Sequence, residues 1–182
     1  KDLRTCQNRL IAWATPYHAI VSDEELEQGC DIIVADTIRI PSGAVDPTVK
    51  NFGRLDFVGA LFEAYERNAD YAVLLDADGC ITEGRGWNIF ALRGGRLLSP
   101  ESGVLEGITR KAVIDLAEEM GNPVHQVALT RHDVYIADEC FLTGSAAEII
   151  PVVRVDSRVI GDGKPGPVTR DLTARFRDKT GR

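Results

Sequence analysis

The segment "DIIVADTIRIPSGAVDPTVKNFGRLDFVGALFEAYER", residues 31–67, contains a strand pattern, a turn and a helix pattern in succession. Its first part is rich in β-branched residues and ends in Pro-Ser-Gly, which predicts a strand from about Ile32 to Ile40 and then a turn. Its last part repeats apolar residues at helical spacing, which predicts a helix from about Arg54 to Arg67. Lys50 therefore lies just before a helix that is expected to be anchored in the core. The apolar stripe expected to face that core is Leu55, Val58, Leu61, Phe62 and Tyr65.

The rest of the chain alternates short strands with helices. Residues 71–100 contain apolar runs joined by Asp-Gly and Gly-Gly, which predict an antiparallel meander. Helices are predicted at "GITRKAVIDLAEEMG", residues 107–121, and from about Pro167 to Asp178. Strand hairpins interrupted by helices favour an α+β or α/β domain with barrel-like β-sheets flanked by helices.

Composition excludes several classes of protein. A chain of 182 residues fits one domain, and its formal charge of −7 argues against nucleic-acid binding. There is no apolar run of membrane-spanning length and no signal-peptide pattern, so we expect a cytoplasmic protein with no membrane partner. The cysteines show no metal-ligand spacing, which argues against a metal site and is typical of reduced core thiols. These cysteines are Cys6, Cys30, Cys80 and Cys140.

Two turns have residues suited to a phosphate group. At the first, Gly107, Ile108 and Thr109 begin a helix, where free N–H groups and a hydroxyl favour an anion, although threonine there is also a common cap. The second contains Gly144, Ser145 and Ala146, where the backbone is accessible to a ligand, although such turns are also common for steric reasons. Either turn alone has an ordinary structural explanation.

Two charged residues complete a candidate site. Glu83 ends a strand before two glycines, and it is either a solvated hairpin residue or a partner for a flat ligand; Asn88 follows in the next strand. Lys50 is either a surface charge or a nucleophile for a carbonyl. Pyridoxal 5′-phosphate uses all these features together, because it has an aldehyde, a ring nitrogen, a phosphate and a flat ring.

Four motifs, in this order, resemble those of the fold-type IV pyridoxal-phosphate enzymes, the class IV aminotransferase family. They are "DPTVKN" (46–51), "ITEGRGWNIF" (81–90), "GVLEGITRK" (103–111) and "DECFLTGSAAEIIPV" (138–152). The family includes branched-chain aminotransferases, (R)-selective amine transaminases and aminodeoxychorismate lyase. The resemblance extends from about Ala12 to Arg177 and predicts the large cofactor-binding domain of that fold.

The resemblance implies a role for each matching residue. Lys50 would bond to the cofactor aldehyde and then carry a proton between the substrate α carbon and the cofactor. Glu83 would pair with the pyridine nitrogen, and Leu105 would pack on the ring. The implied cofactor-binding set is Lys50, Glu83, Asn88, Leu105, Gly107, Ile108, Thr109, Gly144, Ser145 and Ala146.

The implied reaction transfers an amino group from a branched-chain amino acid or primary amine to a keto acid, in a homodimer. An aminodeoxychorismate-type lyase would use the same Lys50 and Glu83, and an inactive cofactor-binding domain is a third hypothesis. Branched-chain enzymes commonly have tyrosine where Leu55 stands, and "GAVDPTVKNF" (43–52) is closer to the (R)-amine transaminases. Residues 1–30 are expected to be a linker or the remnant of an N-terminal domain, and residues 31–182 the pyridoxal-phosphate-binding domain.

Overall fold

The computed structural model describes residues 2–16 and 20–181; Lys1 and residues 17–19 of the predicted linker, together with Arg182, lie outside the described residues. A short 3₁₀ turn precedes five helices and nine strands in the described chain. The helices are α1 (Asp23–Gln28), α2 (Leu55–Glu66), α3 (Ile108–Glu119), α4 (Arg131–Tyr135) and α5 (Pro167–Thr180). The strands are β1 (Cys30–Ile38), β2 (Tyr71–Leu75), β3 (Ile81–Gly84), β4 (Asn88–Arg93), β5 (Arg96–Pro100), β6 (Val124–Val127), β7 (Glu139–Gly144), β8 (Glu148–Val155) and β9 (Arg158–Val159).

One mixed sheet of strongly curved shape organises the chain. Its strand order is β3-β2-β1-β8-β7-β4-β5-β6, with β9 paired to β8. In this order β3 and β4 are five strand spacings apart, about 24 Å in a flat sheet. Yet only residues 85–87 join them, and the path from Gly84 to Asn88 spans at most about 14 Å. The sheet must therefore curl into a half-barrel, which agrees with the barrel-like sheet that the sequence predicted.

The strands are apolar on both faces because each face has its own core. Ile32 and Val34 of β1 belong to the core on the inner face, whereas Ile33 and Ala35 face α2. The same alternation continues in β4, where Ile89 faces the inner core and the next residue, Phe90, faces α3 and α5. Burial on both faces explains why these strands show continuous apolar runs and no alternation with polar residues.

The predicted meander is confirmed in its two antiparallel hairpins, β2–β3 and β4–β5, but it is wrong where they join. β4 pairs with β7 on its other side, so the successive strands β3 and β4 lie apart in the sheet. Only an isolated bridge between Gly84 and Trp87 closes the turn that joins them. The turn signals were read correctly, but a local signal does not specify which strands become neighbours in a curled sheet.

The predicted helix at residues 54–67 forms as α2, but the stripe assigned to the core faces outward. Leu55 and Phe62 are 84% and 62% exposed, whereas the residues packed on β1 and β2 are Phe57, Ala60 and Ala64. Small alanine side chains allow the helix to lie close to the strands. The larger apolar residues therefore form an exposed face on the other side of α2.

Helices α3 and α5 cover the outer face beside β4 and β7, as the apolar stripes in their sequences predicted. Val113, Leu116 and Leu172 are buried there against Phe141. The first turn of α5 is held by Glu139 of β7, whose carboxylate accepts hydrogen bonds from the N–H groups of residues 168 and 169 at 3.0 and 2.8 Å. Over the described residues, none of the helices combines the length and the apolar character that a membrane crossing requires.

The cysteines only partly follow the sequence interpretation. Cys30 and Cys140 are buried in the inner core, and burial raises the pKa of the Cys140 thiol to about 12. Cys80 is half-buried and Cys6 is exposed, so the description as a core thiol is wrong for Cys6. All four thiols are free.

Phe141 should contribute strongly to stability, because its ring stacks on Phe90 with centroids 4.9 Å apart and both are fully buried. We expect Phe141→Ala to lower the free energy of unfolding by about 3–5 kcal/mol through the cavity it creates. Phe62→Ala, on the exposed face of α2, should change it by about 0.5 kcal/mol or less. Urea unfolding of both variants measures the difference, and equal losses would contradict the assigned core.

Candidate functional site

A cavity of about 560 Å³ opens where four chain segments meet. The segments are the loop after β1, the turn between β3 and β4, the start of α3, and the turn between β7 and β8. The curl of the sheet brings the β3–β4 turn to the β7–β8 turn. Segments separated by up to about a hundred residues of sequence thus contribute to one concave surface, which is where small ligands commonly bind.

All ten residues of the implied cofactor-binding set line this cavity. Lys50 is an exposed residue there, Glu83 is buried at 6% exposure, and Ile108 is 84% exposed. Their common location is a fact of the structure, while the roles assigned to them stay predictions. The ten are Lys50, Glu83, Asn88, Leu105, Gly107, Ile108, Thr109, Gly144, Ser145 and Ala146.

Glu83 is a carboxylate with two different protein partners. One oxygen accepts a hydrogen bond from the Leu105 N–H at 2.8 Å, and the other lies 3.4 Å from Nη2 of Arg39. Burial raises the pKa of Glu83, and the Leu105 hydrogen bond together with the charges of Arg39 and Arg54 opposes that rise. The site thus holds a buried carboxyl group whose charge depends on neighbouring cations.

Arg39 and Asp56 form a buried ion pair that the sequence interpretation missed. Nη1 of Arg39 lies 2.6 Å from the Asp56 carboxylate, which also accepts the Ile40 N–H at 3.1 Å. The guanidinium stacks on Phe57, 4.3 Å from the ring centroid. An arginine in the apolar run "TIRIP" was the signal that could have found it, because a buried charge requires a partner.

The start of α3 presents its backbone to the cavity. Its first N–H groups have no side-chain cap, so they are available to an anion. A Cβ added at Gly107 would collide with Oδ1 of Asn88, which explains why glycine is needed. The Asn88 amide donates to the Leu105 carbonyl at 2.9 Å. Asn88 therefore fixes the approach to α3 and holds Leu105 in place.

The β7–β8 turn packs directly against the β3–β4 turn. A Cβ at Gly144 would lie 2.7 Å from the Gly86 carbonyl and 3.0 Å from the Trp87 ring, so the backbones can approach only through glycine. Just before it, Thr143 is 1% exposed, and its hydroxyl has no hydrogen-bond partner within the described chain. A buried hydroxyl that lines a cavity without a partner is a candidate contact for a ligand.

Comparisons with known proteins show the family to which the chain belongs. Residues 3–155 match the family described as "Amino-transferase class IV". The chain belongs to the class IV aminotransferases. One relative, named a putative branched-chain-amino-acid aminotransferase of Methanocaldococcus jannaschii, is 42% identical over 154 residues, covering 84% of this chain and 54% of the relative.

Solved structures of branched-chain amino acid aminotransferases share the fold. The branched-chain amino acid aminotransferase of Escherichia coli matches with a TM-score of 0.87 at 38% identity, covering 90% of this chain and 55% of that one. The enzyme of the same name from Thermobaculum terrenum, solved in its pyridoxal-phosphate form, matches with a TM-score of 0.82 at 35% identity, over 87% of this chain and 53% of that one. The chain spans about half the length of the curated relatives it matches. These matches confirm the predicted fold.

The raised pKa of Glu83 predicts how stability depends on pH. The folded chain holds the Glu83 proton to higher pH than the unfolded chain, whose value is about 4.5, so ionisation costs stability as pH rises. We therefore expect the wild type to lose stability relative to Glu83→Gln as pH rises above 4.5 through the raised pKa, and then to level off. Urea unfolding of both chains between pH 4.5 and about pH 7.5 measures this difference. A difference that grows in favour of the wild type would contradict the assigned shift.

Proposed function

We propose that this chain is the pyridoxal-phosphate-binding part of an aminotransferase. Its reaction would transfer an amino group from a branched-chain amino acid or related primary amine to a keto acid. The observation that carries the proposal is that Lys50 and Glu83 line one cavity together with two turns suited to a phosphate. The names of the relatives, which are branched-chain aminotransferases, support the same reaction.

The residues present fit pyridoxal 5′-phosphate. Glu83 is a buried carboxylate suited to a protonated ring nitrogen, and the cavity provides glycine backbone for a flat ring. The uncapped start of α3 and the unpartnered hydroxyl of Thr143 suit phosphate oxygens. When bound, the cofactor supplies an aldehyde that bonds to amines and a ring that withdraws electrons from the substrate α carbon.

Each residue then has a defined task. Nζ of Lys50 holds the cofactor aldehyde and, once released, accepts and returns the proton of the substrate α carbon. Glu83 keeps a positive charge on the ring nitrogen, and Arg39 helps to keep Glu83 itself ionised. The N–H groups of Ile108 and Thr109, with the hydroxyl of Ser145, hold the phosphate. Leu105 packs on the ring face.

Borohydride reduction tests the cofactor and the lysine directly. The purified chain is incubated with pyridoxal phosphate, reduced and analysed by peptide mass mapping. We expect a stable adduct on Lys50, none on Lys50→Ala, and the same cooperative melting transition for both, because Lys50 is an exposed residue. An adduct spread over surface lysines, or equal labelling of Lys50→Ala, would refute the assignment.

Product analysis distinguishes the two reactions that the site could support from each other and from an inactive binding domain. A keto acid formed together with the amine form of the cofactor indicates transamination, whereas pyruvate released without an amino acceptor indicates a lyase. Cofactor bound on Lys50 without a half-reaction for any amine indicates an inactive binding domain. Both enzyme reactions require Lys50 and Glu83, so their variants alone do not distinguish them.

We propose further that the protein acts in the cytoplasm as a homodimer and that residues 1–30 belong to a linker or N-terminal region. The apolar face of α2 supports the homodimer, because it is a surface that a second subunit would cover. On this face Leu55, Phe62 and Tyr65 lie on neighbouring turns and are between 58% and 84% exposed.

Phe62→Glu should shift a concentration-dependent dimer toward monomer, because it places a charge on an apolar contact. Sedimentation equilibrium measures the shift, with Val159→Glu, exposed at β9, as the control. A monomer at every concentration, or equal shifts in both variants, would refute an α2 interface.

A further inference from the structure

A second cavity, of about 460 Å³, is rich in arginine. Among the described residues it shares no lining residue with the first cavity. Its walls come from the start of β1, the turn after α2, helix α4 and the β8–β9 hairpin. Four of its twelve described lining residues are arginines and two are aspartates, although the whole chain has a formal charge of −7. We call this cavity the arginine cleft, and its charged residues are Asp31, Arg67, Arg131, Arg154, Asp156 and Arg158.

Asp156 does not neutralise its neighbour Arg158. Its carboxylate accepts a hydrogen bond from the Val34 N–H at 3.2 Å and another from the Tyr135 hydroxyl. Among the described residues, Arg158 hydrogen-bonds to the main-chain oxygen of Asp156, at 3.5 Å, and to no carboxylate. Its guanidinium stacks on Tyr135 with 4.4 Å between Cζ and the ring centroid. Stacking orients the guanidinium and leaves its N–H groups available to a ligand.

The other arginines of the cleft are paired unequally. Arg131 has no carboxylate at salt-bridge distance within residues 2–16 and 20–181. Arg154 lies 3.9 Å from Asp31, and an ion pair so long between side chains that are 55% and 38% exposed is weak. Arg67 is engaged by Asp36, which lies outside the cleft. The described part of the cleft therefore has two arginines without an ion pair and a third that is weakly paired.

Arg131 and Arg158 both lie near the phenol of Tyr135. Burial and the hydrogen bond to Asp156 raise the pKa of Tyr135, and the charges of both arginines oppose that rise. Arg131 begins α4 and Arg158 begins β9, so two separate elements supply these charges. Two guanidinium groups near one phenol repel each other, and an anion between them would replace that repulsion by attraction.

We propose that the arginine cleft binds the phosphate group of a small ligand, either inorganic phosphate or a phosphate ester. A phosphate group carries about 1.5 to 2 negative charges near pH 7 and has at least three acceptor oxygens. Arginines from α4, β8 and β9 can share those oxygens, whereas a planar carboxylate is satisfied by one guanidinium in a bidentate pair. The volume of about 460 Å³ also has room for a small organic group. Because the cleft is separate from the first cavity, this inference does not rest on the proposed function.

Calorimetric titration with glycerol 3-phosphate and with inorganic phosphate tests the cleft. We expect Arg131→Met and Arg158→Met each to weaken the tighter of the two about 10-fold, since a charge-assisted hydrogen bond is lost. Arg158→Lys, which keeps the charge, should recover part of the affinity. Tighter binding of glycerol 3-phosphate identifies a phosphate ester as the ligand class, and equal binding identifies inorganic phosphate. Both results agree with the proposal.

Two control variants separate the cleft from general effects of charge. Arg96→Met removes an exposed arginine of β5 outside both cavities, and Arg85→Met removes an exposed arginine of the first cavity. Both should leave phosphate binding unchanged. The melting temperature of each ligand-free variant checks its fold. Arg158 is exposed, so its variant decides the question if Arg131→Met melts at a lower temperature.

Four results would overturn the proposal. They are no phosphate binding by the wild type, unchanged binding in Arg158→Met, an equal loss in Arg96→Met, and a loss in Arg85→Met with binding intact in the cleft variants. The last of these would place the anion in the first cavity. Succinate is the control for ligand chemistry, because it carries two negative charges on planar carboxylates. Succinate bound as tightly as phosphate would show that the cleft does not select phosphate, and the assignment would then be wrong.

Discussion

The buried ion pair between Arg39 and Asp56 is the contact on which the candidate site depends. It joins the end of β1 to the first turn of α2 and so closes the base of the loop that carries Lys50. Burying two charges costs free energy that their attraction must offset, and hydrogen bonds from the N–H groups of Ile40 and Phe57 to Asp56 provide further compensation. The same guanidinium reaches Glu83, so one residue links the fold of the loop to the charge of the cavity.

The cavity is also a consequence of sheet curvature. β3 and β4 are connected by residues 85–87 but lie five strand spacings apart in the sheet order, and only a curled sheet satisfies both conditions. The curl brings the β3–β4 turn against Gly144, where a side chain would collide with Gly86 or Trp87. Glu83 and Asn88, at the two ends of that turn, thereby reach the start of α3. Glycine at this contact is therefore a requirement of the fold as much as of a ligand.

The arginines near Phe57 show how the same residue type acquires different roles. Arg39 is neutralised by Asp56 and lies beside Glu83, whereas Arg54 stacks on the same ring without an ion pair in the described chain. Two cations beside a buried carboxyl group oppose the rise in its pKa that burial causes. Lys50 and Arg85 also line the cavity, so its described lining carries more cations than carboxyl groups, which suits the phosphate and carboxylate groups of the proposed cofactor and substrates.

The sequence by itself determined the order and type of most elements, the family, and ten of the residues that line the cavity. Those features depend on local patterns and motifs: helical spacing placed α2, α3 and α5 to within a few residues, and turn residues marked the strand ends. Only the tertiary structure decided the separation of β3 from β4 in the sheet, the outward face of α2, and the Arg39–Asp56 pair. The physical reason is that apolar spacing predicts a helix with an apolar face but does not show which face packs on the sheet. In α2 that is decided by small residues such as Ala60 and Ala64, which allow the helix to lie close to the strands. The Arg39–Asp56 pair likewise joins residues 17 positions apart, and local sequence patterns do not predict that the fold brings them together.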